Sequence, residues 1–308
     1  MSHEFSLDVR FYRLSPALEP FFTALYCFTI ECADDVVIID CLHPEWAALR
    51  FTQYGAPPVA GLVGEEQRAR EEFVASGPTS RSIGFGLRRS RIWGLGLLPL
   101  GWAHYTRYPA HHMADQIVDG SAHEALEIFR PLMDIVRCSQ DEPDRIAARI
   151  ERYLLHCDLP PVRDAERILA CQLALQDPDV ANVDELASVA STSRRTLERM
   201  CADHFGFAPK MLLRRQRFLR SLARYMLRPE LNWSTALDRH YFDQAHFVHD
   251  FRKFMGMSPS EYADMPHPIL DRIMAQRMAD QGAVPATDLP TVLRYTAPPG
   301  EADEIGRH

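Results

Sequence analysis

The sequence predicts an α+β protein with an N-terminal β-barrel or β-sandwich, a pair of amphipathic helices and a C-terminal all-α region containing two helix-turn-helix units. Residues 1–115 hold short apolar runs rich in Val, Ile, Phe, Tyr and Trp, separated by Gly, Pro and Asp. Residues 116–157 hold two capped amphipathic helices, and residues 158–265 contain one helical pattern twice. Residues 266–308 form an extension with one further helix at 269–278 and a tail that we expect to be mobile.

The apolar runs of the N-terminal region fall at residues 21–30, 36–39, 46–54, 83–87 and 92–98. Runs of this length and composition indicate strands of a sandwich or barrel. Seven large or hydrogen-bonding residues suit the mouth of such a barrel, where a ligand would bind, although they also suit core and surface positions. None is assigned as a binding residue. The seven are Trp46, Arg50, Tyr54, Arg88, Trp93, Trp102 and His104.

The N-terminal region shows none of the residue patterns that carry known catalytic or metal chemistry. His43 and His104 stand alone among the strands, and the sequence lacks the H-x-H pair with a Glu that a metal-dependent barrel enzyme needs. The nucleophile, P-loop and dinucleotide-binding motifs are missing as well. We therefore predict no catalytic residue, no metal site and no cofactor.

Two amphipathic helices follow the β region. Ser121 and Glu124 form a predicted capping box for the first helix, and the second helix begins at Pro143. Exposing their apolar stripes to water is unfavourable, so the stripes have to be buried either on the barrel or on a partner chain. We expect a homodimer formed through this helical hairpin.

One helical pattern of the C-terminal region occurs twice, about fifty residues apart. In each copy a short helix precedes a longer one, which begins at a capping residue, carries an apolar face and ends at a glycine. Helix, tight turn and helix, occurring twice, indicate two helix-turn-helix units. The corresponding residues are Ser193 and Asp243, Leu197 and Phe247, Cys201 and Phe251, Gly206 and Gly256, and Pro209 and Pro259.

The two copies also follow a known family pattern. The first copy reads Ala187-x3-Ser191-x-Ser193-x-Arg195-x-Leu197-x-Arg199, and the second reads Phe242-Asp243-Gln244-Ala245-His246-Phe247 before Phe251, Gly256, Ser258, Pro259 and Tyr262. With these motifs, residues 160–265 resemble the DNA-binding domain of AraC/XylS transcription regulators. Two residues depart from the family pattern, since His240 replaces a turn glycine and Cys201 replaces a phenylalanine.

This resemblance implies a sequence-specific transcription regulator with double-stranded DNA and RNA polymerase as partners. It also implies a cupin-like N-terminal domain that senses a small-molecule effector, mediates dimerisation or does both. An enzyme with a catalytic β-barrel tethered to a DNA-binding domain is the alternative. The positions at which family members contact bases are Arg195, Glu198 and Arg199 in the first recognition helix and Gln244, Ala245, His246 and His249 in the second.

One long helix, predicted for residues 209–227, joins the two units. A helix of this length spans about 28 Å, close to the ~34 Å between successive major-groove faces on one side of B-DNA. Residues 194–228 carry ten basic side chains and two acidic ones, a net +8 in a chain whose net charge is −8. We predict that the arginines of this helix contact DNA phosphates.

Composition places the chain among folded globular proteins. Apolar residues make up 46% and charged residues 25% of the 308 residues, which excludes extended disorder. The N-terminus resembles no signal peptide, and no apolar run approaches the roughly 20 residues of a membrane helix. The seven cysteines show no regular spacing, as is typical of reduced cysteines. We expect a cytoplasmic protein with no membrane partner.

Overall fold

The computed structural model describes residues 5–138, 142–227 and 233–281. These residues form an N-terminal domain rich in β-sheet and a C-terminal helical domain, which confirms the predicted α+β class. The tail that we expected to be mobile, residues 282–308, lies outside the described residues.

Strands in the described residues form two antiparallel sheets. The strands are β1 Ser6–Tyr12, β2 Phe22–Glu31, β3 Ile38–Leu42, β4 Ala47–Gly55, β5 Val59–Leu62, β6 Arg68–Ala69, β7 Phe73–Ser76, β8 Ile83–Leu87, β9 Ser90–Leu97 and β10 Ile117–Asp119. One sheet has the order β1-β2-β9-β4-β7-β10 and the other has the order β3-β8-β5-β6. Each predicted apolar run overlaps one of these strands.

Side chains of the six-stranded sheet alternate between two cores. Leu49 and Phe51 of β4 belong to a core between this sheet and the helices, whereas Arg50 faces the space between the two sheets. On β2, Leu25 belongs to the first core and Phe28 to the second. This period of two is the geometry of a β-strand. The N-terminal domain is therefore a sandwich with helices on its outer face.

Helices occupy the rest of the described chain. They are α1 Pro99–Tyr105, α2 Arg130–Arg137, α3 Pro143–Leu155, α4 Ala165–Gln176, α5 Val183–Val189, α6 Arg194–Phe205, α7 Pro209–Leu227, α8 Trp233–Ala236, α9 Gln244–Met255, α10 Pro259–Asp264 and α11 Leu270–Gln281. Short 3-10 helices span Ala110–His112 and Glu124–Phe129. Within the described ranges, no helix combines the length and apolar character needed to cross a bilayer.

The helical hairpin packs within the chain, so the prediction that its stripes form a dimer seam is wrong. Leu126, Phe129 and Ile146 are fully buried in the core that covers β4. The predicted capping box at Ser121 is also wrong, because the Glu124–Phe129 helix is capped by His123, whose Nδ1 accepts the Ala125 N–H at 3.2 Å. The six-stranded sheet needs a cover for its outer face, and the nearest apolar stripes supply it.

Candidate nucleic-acid interface

The first helix-turn-helix unit consists of α5, a tight turn and α6. Asn182 and Glu185 form the predicted capping box at the start of α5. Ser191 makes the turn with a left-handed φ of 47°, and the Ser193 side chain caps α6 by accepting the Thr196 N–H. On the buried face of α6, Cys201 lies 3.9 Å from Cys171 of α4, measured between the sulfurs.

The second unit consists of α8, a turn and α9. The Asp243 side chain caps α9 by accepting the His246 N–H at 2.7 Å, as predicted. Both recognition helices end at a glycine with positive φ, 82° at Gly206 and 73° at Gly256, a conformation that glycine adopts without strain. The inner face of α9 packs on Phe218 of α7 through three fully buried rings, Phe247, Phe251 and Phe254.

His240, which replaces the family's turn glycine, fits a turn that needs no positive φ. The His240 N–H donates to Asp238 Oδ1 at 3.0 Å, and the Asp238 N–H donates to Ser221 Oγ of α7 at 2.8 Å. His240 is not among the described residues with a left-handed backbone. Asp238 therefore stabilises the turn through one hydrogen bond that it accepts and one that it donates, and the turn needs no glycine.

The predicted base-contact residues of α6 are fully accessible. Arg195, Glu198 and Arg199 are exposed, and within the described part of the chain they have no hydrogen-bonding or ionic partner. A charged side chain without an intramolecular partner is free to bind an external group.

The predicted residues of α9 divide into two groups. Gln244, Ala245 and His249 are exposed, whereas His246 is half-buried beside Arg217 and Asp250. Residues of both units line a cleft of about 670 Å³ between them, and His246 and His249 belong to it. The basic residues that line this inter-unit cleft are Arg194, Lys210, Arg214, Arg217, Arg220, His240, His246 and His249.

Comparison with known families agrees with this geometry. A family model described as a helix-turn-helix domain matches residues 186–265, a span that includes α6, α7 and α9. The C-terminal domain is an AraC-type helix-turn-helix domain. The chain that carries it is a DNA-binding transcription regulator.

The solved structures to which the chain is similar at a low level include ToxT and CuxR. ToxT from Vibrio cholerae, with an unsaturated fatty acid bound, is 11% identical and covers 86% of this chain and 97% of its own, with a TM-score of 0.41. The AraC-like transcriptional activator CuxR is 12% identical and covers 71% and 87%, with a TM-score of 0.24. Comparison with curated proteins gives no match. The assignment of the AraC-type domain therefore rests on the family match and on the helices themselves.

Two of the α7 arginines that we predicted to contact phosphates have partners within the protein, and for the fully buried Arg215 the prediction is wrong. Arg220 Nε donates to Asp238 Oδ2 at 2.6 Å, and only 13% of its side chain is exposed. Arg215 is fully buried against the β domain, where its guanidinium lies 3.9 Å from the centre of the Trp46 ring. Sequence alone missed this because the partners of Arg215 lie more than a hundred residues away.

The AraC-type domain docks on the β domain through the C-terminal ends of both recognition helices. Gly206 lies against Pro78, and Gly256 lies against Val63, which leaves no room for a side chain on Gly256. The Ser82 N–H donates to the Phe254 carbonyl in the last turn of α9 at 2.7 Å. Since the C-terminal ends are docked, the N-terminal halves that carry the predicted base contacts point away from the β domain.

Arg215 links the AraC-type domain to the interior of the sandwich. Its Nη1 donates to the carbonyls of Glu45 at 3.2 Å and Thr79 at 2.8 Å. The Glu45 carboxylate accepts a hydrogen bond from Arg50 at 2.7 Å. One residue, Glu45, therefore contacts both the joining helix α7 and the charged side chain between the two sheets.

Helix α11 closes the sandwich next to Glu45 and Arg50. Asp40 Oδ2 accepts the N–H groups of Ile269 and Leu270, both at 2.8 Å. His267 lies 3.3 Å from Asp40 Oδ1 through Nδ1 and 3.1 Å from the Tyr262 carbonyl through Nε2. The Asp40 oxygens accept backbone N–H groups and the Tyr262 carbonyl can only accept, so both ring nitrogens of His267 donate and the ring is an imidazolium.

The pKa of His267 agrees with this geometry. Burial alone lowers the pKa, but hydrogen bonds to Asp40, Cys41 and the Tyr262 carbonyl outweigh it and raise the pKa to about 10. The Asp40–His267 pair thus anchors the start of α11 to β3.

Two small cavities lie beneath α11. One, of about 60 Å³ between the sheets, is lined mainly by apolar side chains, and the other, of about 130 Å³, lies between the β domain, α7 and α11. Arg50, Tyr26 and Ile273 line both. Of the residues expected at a barrel mouth, the structure brings Arg50 and Trp46 to these cavities, while Trp93 and Trp102 lie in the core on the helix side.

Proposed function

We propose that the protein regulates transcription by binding one specific DNA site with α6 and α9 in successive major grooves. The observation that carries the proposal is the exposure of the N-terminal halves of both recognition helices, whose C-terminal ends dock on one domain. The second helix of a helix-turn-helix unit reads bases with its N-terminal residues. The basic inter-unit cleft then lies over the phosphate backbone between the two grooves.

Each predicted contact residue has a chemistry that suits a base edge. Arg195 and Arg199 can donate two hydrogen bonds to guanine O6 and N7, Gln244 can pair with adenine, and Ala245 can contact the thymine methyl group. Among the cleft residues, exposed Lys210 and Arg194 supply sequence-independent phosphate contacts. The protein acts by binding, and we propose RNA polymerase as its protein partner.

The sandwich is proposed to sense a small amphipathic anion. Arg50 places a cation among apolar side chains, and an entering anion would compete with Glu45 for it. Both cavities are smaller than the ~300 Å³ typical of ligand sites, so α11 has to move when the effector enters. Movement of Glu45 would act on Arg215 and hence on α7, because the two are in contact.

Selection from randomised DNA tests the two-helix arrangement. We expect Arg199→Ala to relax base preference in one half of the selected site and His249→Ala to relax it in the other half, about 10 base pairs away. Each change should weaken binding by about 1–3 kcal/mol. Arg152→Ala, on the exposed face of α3, is the matched control and should leave the selected site unchanged. The proposal fails if both recognition-helix variants alter the same base pairs.

A thermal-shift screen tests the effector site. An effector present at a hundred times its Kd should stabilise the protein by about 2.7 kcal/mol. Medium-chain carboxylates and the matching alcohols form suitable pairs, because only the acids can bind Arg50. Arg50→Met should abolish the shift produced by the acids. Equal shifts by acids and alcohols would contradict an anion site.

A further inference from the structure

The second recognition helix carries a buried carboxylate on its inner face. Asp250 of α9 is fully buried and has ionic contacts with Arg214 and Arg217, both from α7. The Tyr241 hydroxyl donates to Asp250 Oδ2 at 3.0 Å. Removing a carboxylate from water is strongly unfavourable unless it is paired, so these partners are needed for Asp250 to be buried as an anion.

The position of Arg217 is fixed from three directions. Its Nη2 lies 3.4 Å from Asp250 Oδ2, its Nη1 donates to the His240 carbonyl at 3.3 Å, and its guanidinium lies 4.6 Å from the centre of the Tyr241 ring. Burial and the neighbouring Asp250 carboxylate raise the pKa of Tyr241, so its hydroxyl keeps its proton. Arg217 is thereby held against α9, with 19% of its side chain exposed in the inter-unit cleft.

Arg217 in turn determines which nitrogen of His246 carries a proton. Arg217 Nη2 lies 3.3 Å from His246 Nε2, and a guanidinium can only donate. His246 Nε2 is therefore an acceptor, and the imidazole is neutral with its proton on Nδ1. The Asp250 carboxylate, 4.0 Å from His246 Nε2, is too distant for a hydrogen bond that would require the other tautomer. His246 is 38% exposed and can offer a donor, the Nδ1–H, to a partner outside the protein.

We propose that Asp250 is a specificity-determining positioning residue, which fixes Arg217 and, through Arg217, the tautomer with which His246 reads one base of the DNA site. The inference rests on the proposed function, since it needs α9 in a major groove. Asp250, a buried residue that touches no DNA, thus determines whether His246 presents a donor or an acceptor at the protein surface.

The tautomer defines the class of base that His246 accepts. An Nδ1–H donor requires an acceptor on the major-groove edge, which guanine, adenine and thymine offer. Cytosine presents a donor there, its exocyclic amine, and is excluded. The wild-type protein should therefore discriminate against cytosine at one position of the half-site bound by α9. The expected discrimination is roughly tenfold, as is common for one mismatched position.

Selection from randomised DNA, followed by titration of duplexes that differ at this position, tests the proposal with the full-length protein. Arg217→Met removes the donor to His246, and Arg214→Met is its matched control, because Arg214 also pairs with Asp250 but has no contact with His246. Asp250→Asn releases both arginines. His246→Asn keeps a donor near the Nδ1 position, and His246→Leu removes it. Thermal unfolding of each variant shows whether it is folded.

The proposal predicts that Arg217→Met, Asp250→Asn and His246→Leu lose the discrimination against cytosine, while Arg214→Met and His246→Asn keep it. Base preference in the half-site of α6 should stay unchanged in all five. If Asp250→Asn does not fold, the comparison of Arg217→Met with Arg214→Met shows whether Arg217 determines the discrimination against cytosine. The proposal is overturned if Arg217→Met keeps the discrimination, or if Arg214→Met loses it equally. A wild type that selects no motif at all would instead refute the proposed function.

Discussion

Replacing Arg220 by alanine is expected to destabilise the protein rather than weaken a phosphate contact. Arg220 pairs with Asp238, whose side chain is only 1% exposed, and its Nη1 lies 3.4 Å from the Leu175 carbonyl of α4. Alanine would leave the Asp238 carboxylate buried without its cation. Breaking a buried pair from one side typically destabilises by about 3–5 kcal/mol. A typical domain has a total stability of about 5–15 kcal/mol, so the loss would be large.

Urea unfolding and the salt dependence of DNA binding show whether Arg220 stabilises the fold or contacts a DNA phosphate. Arg220→Ala should lower the urea midpoint clearly, and Arg220→Met combined with Asp238→Asn should recover part of it, because no charge is then left buried. Lys210→Ala is the matched control. Because Lys210 is exposed in the cleft, its replacement should leave the urea midpoint unchanged and reduce the slope of log K against log salt by about one.

The opposite pattern would refute the reasoning. If Arg220→Ala unfolds at the wild-type urea concentration and reduces the salt slope by about one, Arg220 contacts a phosphate and the Asp238 pair contributes nothing to stability.

Three further outcomes follow from the packing. Protonated His267 has a folded-state pKa of about 10. Its stabilisation of the fold should be fully present below about pH 6.5 and be lost as the pH rises through 10. Thermal unfolding of the wild type and of His267→Gln across this pH range measures the loss. Leu126→Asp, at a fully buried position, should unfold the sandwich rather than yield a folded monomer, as circular dichroism and sedimentation would show. Gly256→Ala should destabilise more than its control Gly64→Ala in urea unfolding, because both glycines have positive φ but only Gly256 meets a neighbour, Val63.

The sequence by itself determined the local structure of the AraC-type domain. The capping residues Asn182, Ser193 and Asp243, and the glycine at the end of each recognition helix, are found where their spacing predicts them. The joining helix Pro209–Leu227 covers the predicted residues. These features were predictable because a cap, a glycine turn or an apolar period acts within a few residues along the chain.

Tertiary structure alone decided which charged residues remain available to DNA. The sequence gives no reason to separate exposed Arg199 from Arg215 or Arg220, since all three belong to one basic segment. The partners of the latter two, Trp46 and Asp238, come from other elements of the fold. Whether an arginine side chain is exposed or paired depends on which distant groups folding brings beside it, and a one-dimensional pattern does not contain that information. The same physical reason placed the apolar stripe of the helical hairpin on the sheet instead of at a dimer seam.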